Sequence, residues 1–442
     1  MVSNWQEVTL GDIFSVKHGF AFKGKYFTDA PQKTILVTPG NFAVGGGFQK
    51  PKLKYYDGPY PEEYVLTPGQ VVITMTDLSK ASDTLGYPAV IPDDGNIWLH
   101  NQRIGLVELV DENLADLGFI NYLLRTHEYR AWIVGSASGT AVKHTSPGRI
   151  SEYRCKIPPL PEQRAIAHIL GTLDDKIELN RQMNRTLEAM ALALFKSWFI
   201  DFEPVVVNAL RAGNPIPEKF AQRAVHYRDN PNALGLPEET LRQFPDHFQD
   251  SELGPIPEGW RVGIVSDLAT IASGKRPKKR SKEKNVEFRI PLYGGGGIMA
   301  YVEEPLVTEP LLLTGRVGTL GKIFRISEPC WPSDNTLILF PKKKIYFHFV
   351  FFMLQLIEFE SLNRGSTQPL VTQMDLSNQS LVIPNANVSN LFWVNVYSLF
   401  EKIDKSLEES SILSSLRDTL LPKLISGELR VPDAEKLLEE AL

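Results

Sequence analysis

Several features that define common protein classes are absent from this sequence. It has no run of about eighteen apolar residues, which argues against a membrane-spanning helix. Its first residues, MVSNWQEVTLGDIF, do not join a basic segment to an apolar one, so we expect no secretory signal. Only two cysteines occur, Cys155 and Cys330, too few for a disulfide framework or a zinc cluster. These absences predict a cytoplasmic protein with reduced thiols.

A strong excess of positive charge is also missing, since the formal net charge is −5. This value counts against a uniformly basic surface of the kind that binds nucleic acid. The basic residues are unevenly spread, however, and the densest group lies within residues 275–282. The chain has 442 residues, of which 43% are hydrophobic and 22% charged, and this composition predicts a soluble protein of several folded units.

The sequence does contain an internal repeat. Trp5, Asp12 and Gly19 recur as Trp260, Asp267 and Gly274, each 255 positions later. A second set of residues recurs 226 positions later: Gly139 as Gly365, Ile150 as Leu376, Ile157 as Ile383, Lys176 as Lys402, Leu187 as Leu413 and Leu194 as Leu420. Chance matching is the alternative explanation. A shared frame with divergent centres predicts two similar domains with different surfaces.

Two long helices are predicted from the apolar spacing. In the first half, Ile166, Leu170, Leu173 and Ile177 follow one another at alternating intervals of four and three, as in a coiled coil. In the second half the same spacing places apolar residues at 392, 396, 399 and 403. At about 1.5 Å per residue, each helix would span on the order of 55–60 Å.

Both apolar stripes turn polar near their middles, at Asn180 and Asn184 and at the equivalent Ser406 and Ser410. We expect the two helices to pair antiparallel, because the chain between them must return. Two separate helices, each packed on its own domain, remain the alternative. Arg417 interrupts the second stripe and predicts a point where the helices diverge.

Four segments resemble the conserved regions of type I restriction–modification specificity subunits. They are PPLPEQRAI at 158–166 with LDDKI at 173–177, LFKSWFIDFEP at 194–204, DSELGPIPEGW at 250–260 and LLPKLISGEL at 420–429. This resemblance covers essentially the whole chain. It implies an α+β fold in which two α/β target recognition domains form a pseudo-two-fold repeat, separated by two long antiparallel coiled-coil helices. The domain bounds expected are target recognition domains at 1–157 and 259–383, spacer helices at 158–203 and 384–427, a proline-rich connector at 204–258 and a tail helix at 428–442.

The same resemblance implies partners. They are double-stranded DNA with a bipartite target, two methyltransferase subunits and two restriction and translocation subunits. S-adenosylmethionine, ATP and magnesium are expected in those partner subunits, with no cofactor in this chain and no membrane. In such proteins the length of the helices sets the gap between the two half-sites.

The motifs of the enzymes themselves are not found. No Asn-Pro-Pro-aromatic or Asp-Pro-Pro-aromatic loop of an adenine methyltransferase occurs. The segment from Gly315 to Lys322 resembles a phosphate-binding loop, but its glycines are one residue too far apart and Ile323 replaces the magnesium-binding Ser or Thr. We interpret it, and the glycine run at 294–297, as turns. No catalytic or metal-binding residue is therefore predicted. A free-standing two-domain DNA-binding regulator and a phosphate-transferring enzyme remain the alternative functions.

Candidate DNA-binding residues lie in polar, glycine-rich or basic segments of both halves. Small residues let backbone amides approach a phosphate, while Lys, Arg and Gln hydrogen-bond phosphates or bases. The candidates are Lys17, Lys23, Lys25, Thr140, Lys143, His144, Arg276, Lys278, Lys279, Arg316, Arg364, Thr367 and Gln368.

Overall fold

The computed structural model describes residues 5–77, 79, 82–139, 142–230, 232–365 and 367–441. The chain divides into two compact units: unit 1 is formed by Met1–Arg181 with Leu407–Leu442, and unit 2 by Gln182–Ser406. No helix among the described residues is long and apolar enough to cross a membrane.

Unit 1 contains two main sheets. The antiparallel four-stranded sheet has the order Phe14–His18, Ile104–Leu109, Val71–Thr74, Pro88–Val90. The mixed five-stranded sheet has the order Phe27–Thr28, Tyr55–Tyr56, Thr34–Val37, Ile97–His100, Val65–Leu66. Two short antiparallel pairs join Gln6–Thr9 to Arg154–Ile157 and Thr76–Asp77 to Lys143–His144. The shorter helices are Leu10–Ile13, Leu117–Leu123, His127–Gly135, Pro147–Ser151 and Val431–Ala441, with 3-10 turns at Gly24–Tyr26, Pro39–Asn41 and Glu62–Tyr64.

The strand Val71–Thr74 shows how unit 1 is packed. All four of its residues are buried, as its unbroken apolar run predicts for a strand covered on both faces. Val71 and Ile73 belong to the core that contains the long helices, whereas Val72 belongs to a second core against Trp98. The sheet therefore has one apolar layer on each side.

Unit 2 repeats this plan. Its antiparallel four-stranded sheet has the order Ala269–Ser273, Thr336–Pro341, Leu311–Gly315, Ile323–Ile326, and its three-stranded sheet has the order Gly297–Val302, Ile290–Gly294, Trp331–Pro332. Two short pairs join Phe248–Gln249 to Ile256–Pro257 and Arg261–Ile264 to Ser380–Ile383. The shorter helices are Glu203–Ala212, Ala221–Arg228, Glu238–Leu241, Val265–Leu268, Phe347–Leu356 and Gln373–Ser377, with 3-10 turns at Glu218–Phe220, Lys344–Tyr346 and Phe359–Leu362.

Equivalent elements of the two units lie at the offsets found in the sequence. The strand Gln6–Thr9 recurs 255 positions later as Arg261–Ile264, and the helix Pro147–Ser151 recurs 226 positions later as Gln373–Ser377. The predicted duplication is therefore confirmed, and chance matching is wrong as an explanation.

The two long helices are Leu160–Phe199 and Ala386–Ser426, and each contributes one half to each unit. In unit 1 the Asn180 side-chain amide donates to the Ser410 hydroxyl at 3.3 Å and to a Glu409 carboxylate oxygen at 2.7 Å. In unit 2 the ring of Phe392 packs against Phe199, with 4.9 Å between the ring centroids. Rising numbers on one helix meet falling numbers on the other, so the predicted antiparallel pairing is confirmed and separate helices are excluded.

The predicted divergence at Arg417 is wrong. Leu413 and Leu420, on either side of it, are both buried in the core of unit 1. Arg417 itself donates from one guanidinium nitrogen to Asp174 at 2.6 Å. An ion pair replaces an apolar contact at this layer, and the helices stay packed.

The proline-rich connector is folded rather than loose. Val205 and Val206, on the helix Glu203–Ala212, are completely buried in the core of unit 2. The Asn208 amide donates to the carbonyl oxygens of Leu241 and Phe244 at 2.8 and 3.0 Å. Because its apolar side chains enter that core, the connector is a structural part of unit 2.

Candidate nucleic-acid interface

The repeated glycines at 19 and 274 fix the start of the basic segments. The amide of Phe20 donates to the carbonyl oxygen of His100 at 2.8 Å, and a Cβ atom on Gly19 would overlap the carbonyl of Asn101. In unit 2 a Cβ atom on Gly274 would overlap the carbonyl of Ser333 in the same way. The segments that carry Lys23, Lys25 and Arg276 therefore leave equivalent sheet corners.

In unit 1 the residues described in the loop at 138–139 and 142–145 are held against the strand Thr76–Asp77. The amide of each residue in the Ser138 and His144 pair donates to the carbonyl of the other, both at 3.0 Å. Gly139 has a φ of 93°, and a Cβ atom there would overlap the carbonyl of Val142. The Nδ1 atom of His144 lies 3.1 Å from the Thr76 hydroxyl. Lys143 and His144 are thus placed beside the strand Thr76–Asp77, while Thr140 lies outside the described residues.

In unit 2 hydrogen bonds hold the equivalent loop, of which residues 363–365 and 367–371 are described. The side-chain oxygen of Asn363 accepts from the amides of Gly365 and Leu370, both at 2.9 Å. A Cβ atom on Gly365 would overlap the carbonyl of Gln368. The amide of Val371 then donates to the carbonyl of Arg316 at 2.9 Å. This network joins Arg364, Thr367 and Gln368 to the turn that carries Arg316. We call residues 363–365 and 367–371 with 315–322 the loop–turn surface.

The candidate side chains on the loop–turn surface differ in exposure and in the partners that they already have. Thr367 and Gln368 are exposed. Arg364 is also largely exposed but forms an ion pair with Asp375. Arg316 is half-buried, and its Nε atom is buried without a hydrogen-bond partner among the described residues. Exposed side chains with rigidly held backbones are suited to reading base edges.

Sequence reasoning missed Lys322 and Thr319 as members of this surface. Both are exposed on the turn with Arg316, and the Lys322 amine donates to the carbonyl of Gly296 at 3.2 Å. The sequence signal was the resemblance to a phosphate-binding loop, which drew attention to Lys322 only as a nucleotide ligand. The turn interpretation predicts this position correctly, because Leu311–Gly315 and Ile323–Ile326 are antiparallel neighbours.

The glycines near this turn are required by a close approach of two backbones. A Cβ atom on Gly295 would lie 2.7 Å from the carbonyl oxygen of Thr319, and one on Gly315 would overlap the same atom. The glycine run itself forms the turn between the antiparallel strands Ile290–Gly294 and Gly297–Val302. Backbone packing therefore explains both glycine-rich segments without a nucleotide.

The remaining basic candidates have partners of their own or stand exposed. The Lys17 amine donates to the carbonyl of Glu63 at 3.3 Å. Lys25 lies 4.7 Å from the centroid of the Tyr26 ring. Lys279 forms an ion pair with Glu303 at 3.5 Å, which ties it to a strand edge rather than to the loop–turn surface. Lys23, Arg276 and Lys278 are exposed.

A buried carboxylate organises the segment that follows Thr76 in unit 1. Asp77 accepts hydrogen bonds from the amides of Ser79 and Thr84, both at 2.6 Å, and of Leu85 at 3.0 Å. Burial alone would raise the pKa of Asp77, but these hydrogen bonds outweigh it and hold the pKa below its ordinary value. The charged carboxylate thus closes the turn beside the Lys143 loop.

Neither the two cysteines nor the buried His100 has the character of a reactive group. Burial raises the pKa of Cys155 to about 12 and that of Cys330 to about 11, and both thiols are free. Burial lowers the pKa of His100 to about 4, which keeps its ring neutral. Within the described ranges, no three His, Cys, Asp or Glu side chains are grouped to hold a metal ion.

Known proteins are similar to this chain in sequence. The type I restriction modification DNA specificity domain matches residues 2–189 and 257–409. The type I restriction enzyme HindI specificity subunit of Haemophilus influenzae is 25% identical, and the alignment covers 97% of this chain and 100% of that protein. The MjaIX specificity subunit of Methanocaldococcus jannaschii is 24% identical over 85% of this chain and 79% of its own.

The fold is also similar to a solved structure. The crystal structure of a type I restriction–modification S subunit from M. genitalium superposes with a TM-score of 0.55 at 18% identity, covering 95% of this chain and 96% of the other. The sequence match extends over most of the chain and includes both units. The protein therefore belongs to the type I restriction–modification DNA specificity family.

Proposed function

We propose that this chain is the non-catalytic DNA-reading subunit of a type I restriction–modification complex. Unit 1 reads one half of a bipartite target and unit 2 reads the other. The chain thereby directs adenine methylation, or restriction, by its partner subunits to one split sequence.

The observation that carries this proposal is a shared frame with divergent surfaces. Gly139 and Gly365 hold equivalent loops by the same close backbone contact. The side chains at equivalent positions nevertheless differ: Lys143 and His144 of unit 1 correspond to Pro369 and Leu370 of unit 2, and Gln368 of unit 2 corresponds to Val142 of unit 1. Two readers with one scaffold and different side chains are what a two-part, asymmetric target requires.

The residue types on the two loops suit sequence readout. Gln pairs with the edge of adenine, and Arg or Lys with that of guanine, in the major groove, while Arg and Lys also contact phosphate. Gln368 and Arg364 are therefore proposed as base readers. Lys143, Arg276 and Lys278 are proposed as phosphate contacts that hold the register on the duplex.

The proposed complex contains two methyltransferase and two restriction subunits and acts in the cytoplasm. The name of the Haemophilus relative, a restriction enzyme specificity subunit, supports such an assembly. S-adenosylmethionine, ATP and magnesium are assigned to the partner subunits, because neither glycine-rich segment of this chain needs a nucleotide to explain it.

The test is to produce this chain with its cognate methyltransferase subunit and to map N6-methyladenine by single-molecule sequencing. One split motif is expected with both chains, and none with either chain alone. The absence of site-specific methylation with any cognate partner would reject the proposal. Tight specific binding by this chain without a partner would instead indicate the free-standing regulator, which no comparison supports.

A further inference from the structure

Each unit has a buried arginine, outside the long helices, that bonds to an aspartate on a long helix. In unit 1 a guanidinium nitrogen of Arg125 donates to Asp174 at 2.7 Å. In unit 2 Arg325 donates to both carboxylate oxygens of Asp404, one of them at 2.9 Å. The two arginine side chains are only 6% and 12% exposed. We call them the anchor arginines.

The anchor in unit 1 connects four elements of that unit. Arg125 follows the helix Leu117–Leu123 and passes over Gly46, where a Cβ atom would lie 2.7 Å from its Cγ atom. Asp174 also accepts from the Tyr122 hydroxyl at 2.9 Å and from Arg417 at 2.6 Å. A loop and a helix of the recognition part are thereby joined to both long helices.

The anchor in unit 2 has different neighbours. Arg325 lies on the strand Ile323–Ile326, and its guanidinium carbon is 4.5 Å from the centroid of the Phe400 ring. His348 also packs on Phe400, with the two rings stacked at 4.5 Å and an interplanar angle of 3°. A sheet strand and the helix Phe347–Leu356 therefore meet the second long helix around this contact.

The two anchors are not copies made by the duplication. The position 226 residues after Asp174 is Phe400, an aromatic residue, while Asp404 lies 230 residues after Asp174. The two arginines are 200 positions apart, which matches neither repeat offset. Each unit has therefore acquired its own connection between recognition part and helix pair.

The physical character of these contacts suggests orientation rather than stability. Apolar burial holds the recognition part on the helices but is non-directional. A fork of guanidinium nitrogens on a carboxylate fixes both distance and angle. Such ion pairs add little net stability, because desolvation offsets the attraction in a buried pair and solvent screens it in a half-exposed one.

We propose that Arg125 and Arg325 are positioning residues that fix the angle of each reading surface against its own helix pair. This angle decides how strictly the protein selects the distance between the two half-sites. The inference rests on the proposed function, since it concerns how the bipartite target is read.

Unit 2 offers the cleaner test. The side chain of Asp404 is 45% exposed, so its carboxylate stays hydrated when the partner is removed. Arg325→Met keeps the apolar stem over Phe400 but removes the fork. Asp404→Asn weakens the same contact by changing the partner residue on the long helix. Asp404 is negatively charged, so it does not itself bind the DNA backbone. Arg211→Met is the matched control, because the partners of Arg211 among the described residues are Glu238 at 2.8 Å and Asn232 at 3.1 Å, and neither lies on a long helix.

The assay uses the full chain with its methyltransferase subunit and duplexes whose gap is native or changed by one base pair. The ratio of methylation rates between the native and altered gaps should fall about tenfold in both variants, the size expected for loss of one charged hydrogen-bonded contact. The double variant should lose no more than either single variant. The control should keep the ratio of the unchanged protein.

Each other outcome has one meaning. If the unchanged complex methylates no split site, the proposed function fails. If the unchanged complex is selective and both variants keep its ratio, the positioning role is overturned. A lower ratio in Arg325→Met alone, or additive losses of the ratio in the double variant, would mean that Arg325 acts independently of Asp404. Either result would also overturn the positioning role.

Discussion

The glycines at positions 19 and 274 lie against backbone carbonyl groups with no room for a Cβ atom. Such residues are shared by both halves because the sheet corner that they form is shared. The sequence offset revealed them without any structure. Their cause, a backbone crossing with residues some eighty positions further on in unit 1, could not be predicted because it depends on the tertiary path of the chain.

Gly19→Ala should therefore lower the free energy of unfolding by about 1–3 kcal/mol, the usual range for forcing an extra atom into a filled space. Gly24→Ala is the matched control, because a Cβ atom there has no neighbour within 4 Å. Urea unfolding measures both. Equal stability of the two variants would contradict the close contact.

Asp174 is the second informative single residue. Burial alone would raise its pKa, but the charges of Arg125 and Arg417 and the hydroxyl of Tyr122 hold the pKa below its ordinary value. A carboxyl group with a lowered folded-state pKa stabilises the fold at pH values above its unfolded pKa of about 4. That contribution is lost as the pH falls from there through the folded-state value.

Asp174→Ala should cost roughly 3–5 kcal/mol at neutral pH, because two largely buried arginines lose their shared partner. The loss of stability between neutral pH and pH 3 should also be smaller than in the unchanged protein. Asp418→Ala, at a side chain that is 66% exposed, should cost about 0–1 kcal/mol. Chemical unfolding at both pH values is the measurement. An Asp174→Ala protein as stable as its control would rule out the buried network.

Among elements, the two long helices were predictable and the anchors on them were not. Proline at 158 and 159 and heptad spacing predict a helix beginning near Leu160, which is where the structure begins it. The bond from Arg125 to Asp174 spans 49 positions and obeys no local periodicity. Likewise, the prolines of the connector predict turns but do not show that Val205 and Val206 enter a core.

The reading elements can be separated by the kind of DNA contact that they make. Lys278→Ala should weaken binding to all sequences alike and lower the salt slope by about one, as loss of a phosphate contact does. Gln368→Ala should relax preference at one base position, at a cost of about 1–3 kcal/mol.

Binding of the reconstituted complex to target and scrambled duplexes at several salt concentrations distinguishes the two effects. Ser426→Ala is a control variant, because its residue lies on the long helix Ala386–Ser426 and belongs to neither reading segment. A uniform loss from Gln368→Ala would remove it from the base-reading set. The bases themselves could not be predicted, because direct readout depends on side-chain placement in the divergent loops.

At the scale of the whole molecule, two readers on paired helices imply that the length of the helices determines the gap in the target. Removing seven residues at matched positions from both long helices preserves the heptad register and shortens each by about 10 Å. At about 3.4 Å per base pair, the methylated motif should lose roughly three base pairs from its gap while both half-sites stay the same.

Methyladenine mapping in a host that carries only this variant gives the result directly. Adding seven residues to both helices should lengthen the gap by the same amount. An unaltered gap in both variants would separate target spacing from helix length.

Unit 1 takes its last helix segments from residues 407–442, although its sheets are complete by Ile157. A ribosome must therefore make all of unit 2 before Leu413, Leu420 and Leu424 can cover the apolar stripe around Ile166. Throughout that delay the nascent chain exposes an apolar surface that is prone to aggregation and that chaperones must shield. A premature stop codon just after Ser406 would leave unit 2 whole but would remove the helix segments that complete the core of unit 1, the unit that is made first.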